Sequence, residues 1–363
     1  MITSTLYPPI WQEQLPQIDC VVIGVNAEAT LRRCLSSIIE CDYPPEALNI
    51  TYVDGGSIDE SIAIAESFAV IRIVRLKLEH PTPGLGRNAG WKAGVAPLVQ
   101  FMDSDTILDK NWLRIAVKEF QADVGAVAGN RKEIHPEDSV YNWIGDLEWN
   151  GSPGDAECFG GDVLIRRQVL EETCGYDDEL VGGEDPELSI RIRSAGWRIR
   201  QLDIDMTRHD LAMTRVSQYW KRAYRSGYAF AAVIERCSAK GITFWRKEFH
   251  RIIMRGGGFF CFNFFSALVL LLFPITLETF ALMTILSGAG FFLLLYPRIF
   301  RVNYFMKSKQ LERGPARIYA WHCSLVVIPD ILGVARFYLG KLLNRPLRNR
   351  RRKLATSTLQ TQT

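Results

Sequence analysis

The hydrophobic pattern of this chain changes character once. Short apolar runs alternate with helical stripes in the first part, and long unbroken apolar stretches fill the last third. Residues 19–25, 48–53 and 71–75 are apolar runs of strand length. Between the first two, residues 26–40 carry Leu31, Cys34, Leu35 and Ile38 at helical spacing. Residues 58–68 predict a second helix, with Ser57 as N-cap and Glu60 three positions on. Residues 87–94 predict a short helix headed by Arg87, and residues 96–102 a buried strand that ends at Asp103. Later, Glu184-Asp185 opens a helix with Leu188, Ile190, Ile192 and Ala195 as apolar positions and Gly196 at its end; a strand follows at 199–204. This alternation predicts an α/β fold with a mostly parallel central sheet covered on both faces. Ligands of such sheets sit beyond the carboxyl ends of the strands. Val25, Asp54 and Asp103 are therefore expected to converge on one crevice.

From residue 256 the composition shifts. Residues 256–275 are apolar apart from Asn263 and Ser266, and residues 279–296 form a second such stretch. Each approaches the ~20 residues that span a bilayer. The short break at Pro274 to Glu278 makes the pair a helical hairpin, with a buried hairpin in a soluble core as the alternative. Arg246, Lys247, Arg251 and Arg255 precede it, and Arg298, Arg301, Lys307, Lys309 and Arg313 follow. Basic flanks on both sides place both in the cytoplasm. A third apolar stretch, 318–343, is interrupted by His322, Pro329, Asp330 and Arg336. It predicts an interfacial or re-entrant helix, with a third span as the alternative, and a basic tail at 341–353 against anionic headgroups. The expected organisation is a catalytic domain over 1–250 and a membrane-anchoring region over 251–363.

Charge and cysteines narrow the setting. The net charge of +3 over 363 residues is unevenly placed, since carboxylates concentrate in the first half. Eight scattered cysteines show no metal-ligand spacing and fit a reduced compartment. Residues 1–17 contain tandem prolines and no basic segment before an apolar core, so no cleavable secretion signal is expected. Together these predict a multi-pass protein of the inner membrane with its catalytic domain in the cytoplasm. Membrane lipids are expected partners. The basic tail has a use at the membrane, and nothing else in the chain points to nucleic acid.

The candidate chemistry lies at the strand ends. Asp103-Ser104-Asp105 offers two hard oxygen ligands one residue apart, suited to Mn²⁺ or Mg²⁺; a solvated turn is the alternative. Asp54, followed by Gly55-Gly56-Ser57, can accept hydrogen bonds from a nucleotide base or serve an Asp-Gly turn. Arg87 follows Gly84-Leu85-Gly86 and has the fork geometry that suits a phosphate; a surface arginine at a helix start is the alternative. Glu184-Asp185 lies at a helix N-terminus, where the dipole favours carboxylates with or without catalysis.

The order Val25-Asn26-Ala27-Glu28, Asp54-Gly55-Gly56-Ser57, Gly84 to Gly90, Asp103-Ser104-Asp105, Cys158-Phe159-Gly160-Gly161 and Gly182-Gly183-Glu184-Asp185 resembles the family 2 glycosyltransferases of the GT-A fold. The resemblance covers roughly residues 19–209. It implies a Rossmann-like nucleotide-sugar domain. Val25, Glu28, Asp54, Gly55 and Ser57 would line the nucleotide pocket, with Arg87, Asp103 and Ser104 near the donor diphosphate. Asp103 and Asp105 would hold Mn²⁺ or Mg²⁺, helped by His209, for which a structural role is the alternative. Asp185 would be the general base, beside Glu184, giving single displacement with inversion. Phe159, Gly160 and Gly161 would shape the acceptor site, with Trp197 packed behind it. Processive members carry Gln-x-x-Arg-Trp after the base; the nearest stretch here, Ser217-Gln218-Tyr219-Trp220-Lys221-Arg222, departs from it. The expected activity is therefore transfer of one sugar from a nucleotide-diphosphate sugar to a lipid-linked or cell-envelope glycan. Direct glycosylation of a polyprenyl phosphate is the enzymatic alternative, and an inactive sugar-nucleotide-binding scaffold the non-enzymatic one.

Overall fold

A computed structural model describes residues 15–76, 80–149 and 151–347, and the expected basic tail beyond Leu347 lies outside them. Two compact units are present, one ending at Ala212 and the other formed by Met213–Leu347.

The first unit is built on a sheet of β1 (Ile18–Gly24), β2 (Leu48–Asp54), β3 (Ile71–Arg75), β4 (Leu98–Asp103), β5 (Thr106–Leu108), β6 (Val124–Glu133), β7 (Gly154–Asp155), β8 (Val163–Arg166) and β9 (Arg198–His209). The order is β3-β2-β1-β4-β8-β6-β9-β5, with β7 on β9. Pairings among β3, β2, β1 and β4 are parallel, as is β6 with β9, while β8, β5 and β7 run against their neighbours. Alternation sends Cys20 and Val22 of β1, and Leu98 and Met102 of β4, to one face of the sheet; Val21, Val99 and Phe101 go to the other. Helices α1 (Leu31–Ile39), α2 (Ser61–Glu66) and α4 (Trp112–Ala116) bury apolar side chains in the first face. Helices α3 (Pro83–Lys92), α6 (Arg167–Glu172) and α7 (Glu184–Ser194) bury theirs in the second. Helix α5 (Val140–Trp149) follows β6. The expected two-faced, mostly parallel sheet is the observed one.

Three local expectations are corrected. Arg87 does not head its helix, because Pro83 begins α3 and Thr82 Oγ1 accepts from the amide of Leu85 at 3.1 Å. Ser57 is not an N-cap: α2 starts at Ser61, and the amide of Ser57 donates to the Asp54 carboxylate. The last long strand extends beyond 204 and ends on His209, because its pairing with β6 and β5 continues to that residue.

The second unit is helical. Helix α8 (Val216–Ala239) leads to α9 (Arg246–Arg251), which runs through a π-helical segment, Ile252–Gly257, into α10 (Gly258–Leu272). Then come α11 (Leu277–Phe300), α12 (Val302–Ser308), α13 (Arg313–Leu325) and α14 (Val327–Leu342). Three helices among the described residues are long and apolar enough to cross a membrane: Arg246–Leu272, Leu277–Phe300 and Arg313–Leu342. In the first two only 11% of the apolar window is buried within the protein, against 44% in the third. Helices α10 and α11 pair through Ser266, whose hydroxyl meets Ser287 Oγ at 3.0 Å and the carbonyl of Met283 at 3.1 Å. Pro297 inside α11 has no amide to give the carbonyl of Leu293. Arg255 supplies the missing donor, with Nε at 3.3 Å from that carbonyl and Nη2 on the carbonyls of Leu294 (3.1 Å) and Cys323 (2.6 Å).

Candidate active site

Sheet register brings three loops to one place. Gly24 is opposite Asp54 across β1 and β2, and Ile23 is opposite Asp103 across β1 and β4. The loops after β1 and β2 are laced together. The amide of Asn26 donates to Ser57 Oγ (2.8 Å), Asn26 Oδ1 accepts from Ile58, and Glu28 Oε2 accepts from Glu60. Val25 stands exposed at the rim. Asp54 is 3% exposed, and its carboxylate accepts from the amides of Gly56 and Ser57 at 2.9 and 3.0 Å. Its side chain thus holds the turn. The carboxylate of Glu28 likewise serves the neighbouring loop.

The end of β4 carries a dense charge cluster. Arg87, 2% exposed, reaches out of α3 and forks between two acids, with Nη2 at 2.8 Å from Asp103 Oδ1 and Nη1 at 2.8 Å from Glu184 Oε1. Asp185 Oδ1 lies 3.8 Å from the same Nη1. Burial works against the arginine's charge, yet Asp185, Asp103, Tyr176 and Glu184 outweigh it and push its pKa up. Helix α7 delivers two acids onto this guanidinium, which engage Nη1, while Asp103 takes Nη2 and Nε is left without a hydrogen bond. Glu184 is held by the same contact.

A second arginine, absent from the sequence-based candidates, balances the other side. Arg131 Nη2 is 2.8 Å from Asp162 Oδ2 and 3.8 Å from Asp103 Oδ2. Asp162 has a fully buried side chain; it also accepts from the Asp103 amide (3.1 Å) and from Thr207 Oγ1 (2.6 Å). Asp162 follows Gly160-Gly161 directly, and Arg131 lies in the polar run Asn130-Arg131-Lys132-Glu133 that ends an apolar strand. Those were the available signals. Gly161 is required where it stands, since a Cβ there would meet Asp103 Oδ2 at 2.5 Å and Arg87 Nη2 at 2.8 Å.

Asp103, Asp105 and His209 come together as expected, each offering a ligand atom within 4.8 Å of the others. Pairing of β5 with β9 puts Thr106 opposite His209, which brings Asp105 beside the ring at 3.2 Å. Asp105 Oδ1 is buried and completes no hydrogen bond, and the same holds for His209 Nδ1 and Asp185 Oδ1. Five carboxylates (Asp103, Asp105, Asp162, Glu184, Asp185) thus surround two guanidiniums. Hard oxygens in negative excess, two of them without a hydrogen bond, fit a divalent cation. Ser104 is held at the strand end by its amide bond to the Ile23 carbonyl.

Asp185 is the most perturbed acid. Burial pushes its pKa up to about 8, with Arg87 pulling it down and Glu184 and Asp103 pushing it up. Beside the cluster opens a cavity of about 470 Å³ lined by Arg131, Trp149, Phe159, Gly160 and Asp162 among others. The Trp149 ring carries the Arg131 guanidinium 5.6 Å from its centre and meets the His209 ring at 4.9 Å. Phe159 is buried, its amide donating to Ser189 Oγ at 3.2 Å, while Gly160 leaves open space. Trp197 does not belong here. It immediately precedes β9, next to Arg166 and bonded to Glu172, at the end of the sheet remote from Asp103; β9 ends at the site but does not begin there.

Residues 19–172 match the family model described as Glycosyl transferase family 2. Over this segment the chain is similar to the family 2 glycosyltransferases. A probable glycosyltransferase of Bacillus subtilis, YdaM, is 26% identical over 216 residues, 53% of this chain and 51% of the relative. The beta-monoglucosyldiacylglycerol synthase of Synechocystis is 23% identical over 205 residues, 51% of this chain and 42% of the relative. The chain spans about half the length of the curated relatives it matches. Among solved structures, the mannosyltransferase PcManGT of Pyrobaculum calidifontis, in complex with GDP-Man and Mn²⁺, superposes with a TM-score of 0.59 at 15% identity over 91% of this chain and 89% of that one. At that identity the likeness is one of fold, and the fold is GT-A.

Proposed function

We propose that this protein is a metal-dependent, inverting glycosyltransferase that moves one sugar from a nucleotide-diphosphate sugar to a hydroxyl of a lipid-linked or envelope glycan at a membrane. The observation that carries this reading is Asp185: a half-buried carboxylate whose inner oxygen makes no hydrogen bond, at the N-terminus of α7 beside the Asp103–Arg87 pair. The nucleotide would sit on the rim of Val25, Gly55 and Ser57, with the diphosphate at the end of β4. Asp103, Asp105 and His209 would hold Mn²⁺ or Mg²⁺, which when bound supplies Lewis-acid stabilisation of the departing diphosphate. Asp185 takes the proton of the acceptor hydroxyl. The acceptor's oxygen forms the new bond to the anomeric carbon as the bond from that carbon to the phosphate oxygen breaks, and the electron pair leaves with the nucleoside diphosphate. Arg87 and Glu184 hold Asp103 and Asp185 in place for this step.

The acceptor enters past Gly160 and Trp149, whose indole provides a flat apolar face for a sugar ring. A membrane acceptor is supported by the two long, outwardly apolar helices of the second unit. It is supported too by a relative named as a diacylglycerol-lipid synthase. The test is a panel of nucleotide sugars measured by thermal shift on the full-length protein in detergent with Mn²⁺. One donor is expected to raise the melting temperature in a metal-dependent way, and Asp105→Ala to abolish the shift. A panel without any metal-dependent shift contradicts the reading.

A further inference from the structure

Helix α13 and α14 together form the third stretch long enough to cross a bilayer, and they carry two distinct apolar faces. One is buried: Ala316, Ala320, Ser324, Val327 and Val334. The other is exposed: Ile318, Leu325, Leu332 and Leu339 recur every seventh residue, with Trp321 and Leu342 on the same side.

The buried face of α14 lies on α8, while α13 packs on α11 and α12 and reaches α8 only near its end. Tyr219 Oη is 2.8 Å from His322 Nδ1. Gly227 meets the backbone of Asp330, and Gly333 that of Tyr224, so closely that a Cβ at either glycine would collide. Further along, the rings of Tyr228 and Phe337 are 5.3 Å apart, and Glu235 pairs with Lys341. Partners rise together in both helices, from 219 to 235 and from 322 to 341, so the two run side by side in the same direction. Helix α8 is not a membrane helix. Lys221, Arg222 and Arg225 are exposed on its outer side. If α13–α14 crossed the bilayer, these cations would be carried into hydrocarbon with it.

We propose that α13–α14 lies in the membrane interface, its exposed stripe in the headgroup–acyl boundary and α8 on its other side, so that the chain crosses the membrane twice. The occupant of the stripe is the lipid surface. Leu342 and Leu343 continue it to the end of α14. The basic side chains Arg317 and Arg336 on the same helices suit anionic headgroups. The outwardly apolar hairpin of α10 and α11 provides the two crossings.

The test uses the full-length chain in membrane vesicles with an epitope tag at each end. Protease added outside should remove both tags or neither, and alkaline carbonate should leave the protein in the membrane. Tags on opposite sides overturn the proposal, because they demand an odd number of crossings. Extraction by carbonate overturns it as well, since the hairpin then does not span. Quenching of tryptophan fluorescence by lipids brominated near the headgroup should fall in Trp321→Phe. The fall should be smaller with lipids brominated near the chain ends. An unchanged quench in this variant overturns the seating of the stripe.

Discussion

Arg87 Nη2 lies 2.8 Å from Asp103 Oδ1, and this pair, its arginine buried and its acid partly exposed, joins helix α3 to the end of strand β4. The same guanidinium takes Glu184 at 2.8 Å, so one side chain sets the distance between the donor-side acids and the acids of α7. Removing it leaves several buried carboxylates facing each other. Arg87→Ala is expected to destabilise the folded protein by about 3–5 kcal/mol. Arg87→Lys keeps the charge but loses the fork, and is expected to retain the fold while lowering kcat by about 10²-fold through misplaced acids. Thermal melts and steady-state rates of the two variants check both effects.

Asp162 does for Arg131 what the acids of α7 do for Arg87. Its carboxylate accepts from Arg131, Thr207 and the amide of Asp103. Asp162→Asn turns one of those acceptor oxygens into a donor and leaves Arg131 without its nearest counter-charge. The expected loss of stability is about 3 kcal/mol, with metal affinity reduced because Asp103 loses its anchor. A chemical denaturation curve and a Mn²⁺ titration of the variant measure the two losses separately.

The pH dependence follows from Asp185, whose folded pKa is pushed up to about 8 by burial. A raised carboxylate pKa means that the native state holds the proton more tightly than the unfolded chain. The resulting stabilisation is complete below the unfolded carboxylate value and is lost as pH rises through about 8. Transfer needs the deprotonated form, so kcat/KM should climb with pH and level off above about 8. Activity and stability therefore move in opposite directions over this window. Asp185→Asn should remove the pH slope of stability, which pH-dependent melting curves of wild type and variant read directly.

Trp149 tests the acceptor side alone. Its ring lines the cavity next to Gly160 and contacts Arg131 and His209 without joining the carboxylate cluster. Loss of a stacking face removes about 1 kcal/mol or more of sugar binding. Trp149→Ala should therefore raise the acceptor KM by roughly 5-fold or more and leave the donor KM within 2-fold. Equal effects on both substrates would move the acceptor away from this cavity.

Much of this architecture was legible in the chain because local and global signals agree there. The strand ends at Gly24, Asp54 and Asp103 follow from apolar runs broken by small or acidic residues, and sheet register then brings them together. Asp105 and His209 were legible as a pair only through a resemblance, since they stand 104 positions apart in the chain and β5–β9 pairing makes the contact. What was not legible depends on tertiary charge balance. Arg131 and Asp162 look like strand and loop polars in the sequence, and only folding aims both at Asp103. The acids that engage Arg87 were not legible for the same reason: Glu184 and Asp185 arrive from α7, some hundred residues later. Trp197 shows the opposite error. It is close in sequence to the base-bearing helix, but the start of β9 lies at the far end of the sheet.

The central claim is that Asp185 deprotonates the acceptor in a metal-assisted sugar transfer, and Asp185→Asn tests it most directly. With the cognate donor, acceptor and Mn²⁺ supplied, the variant should keep donor-induced thermal stabilisation while transfer falls by about 10²–10⁴-fold, the range ascribed to a general base. Transfer at the wild-type rate in a variant that binds donor normally would contradict the account.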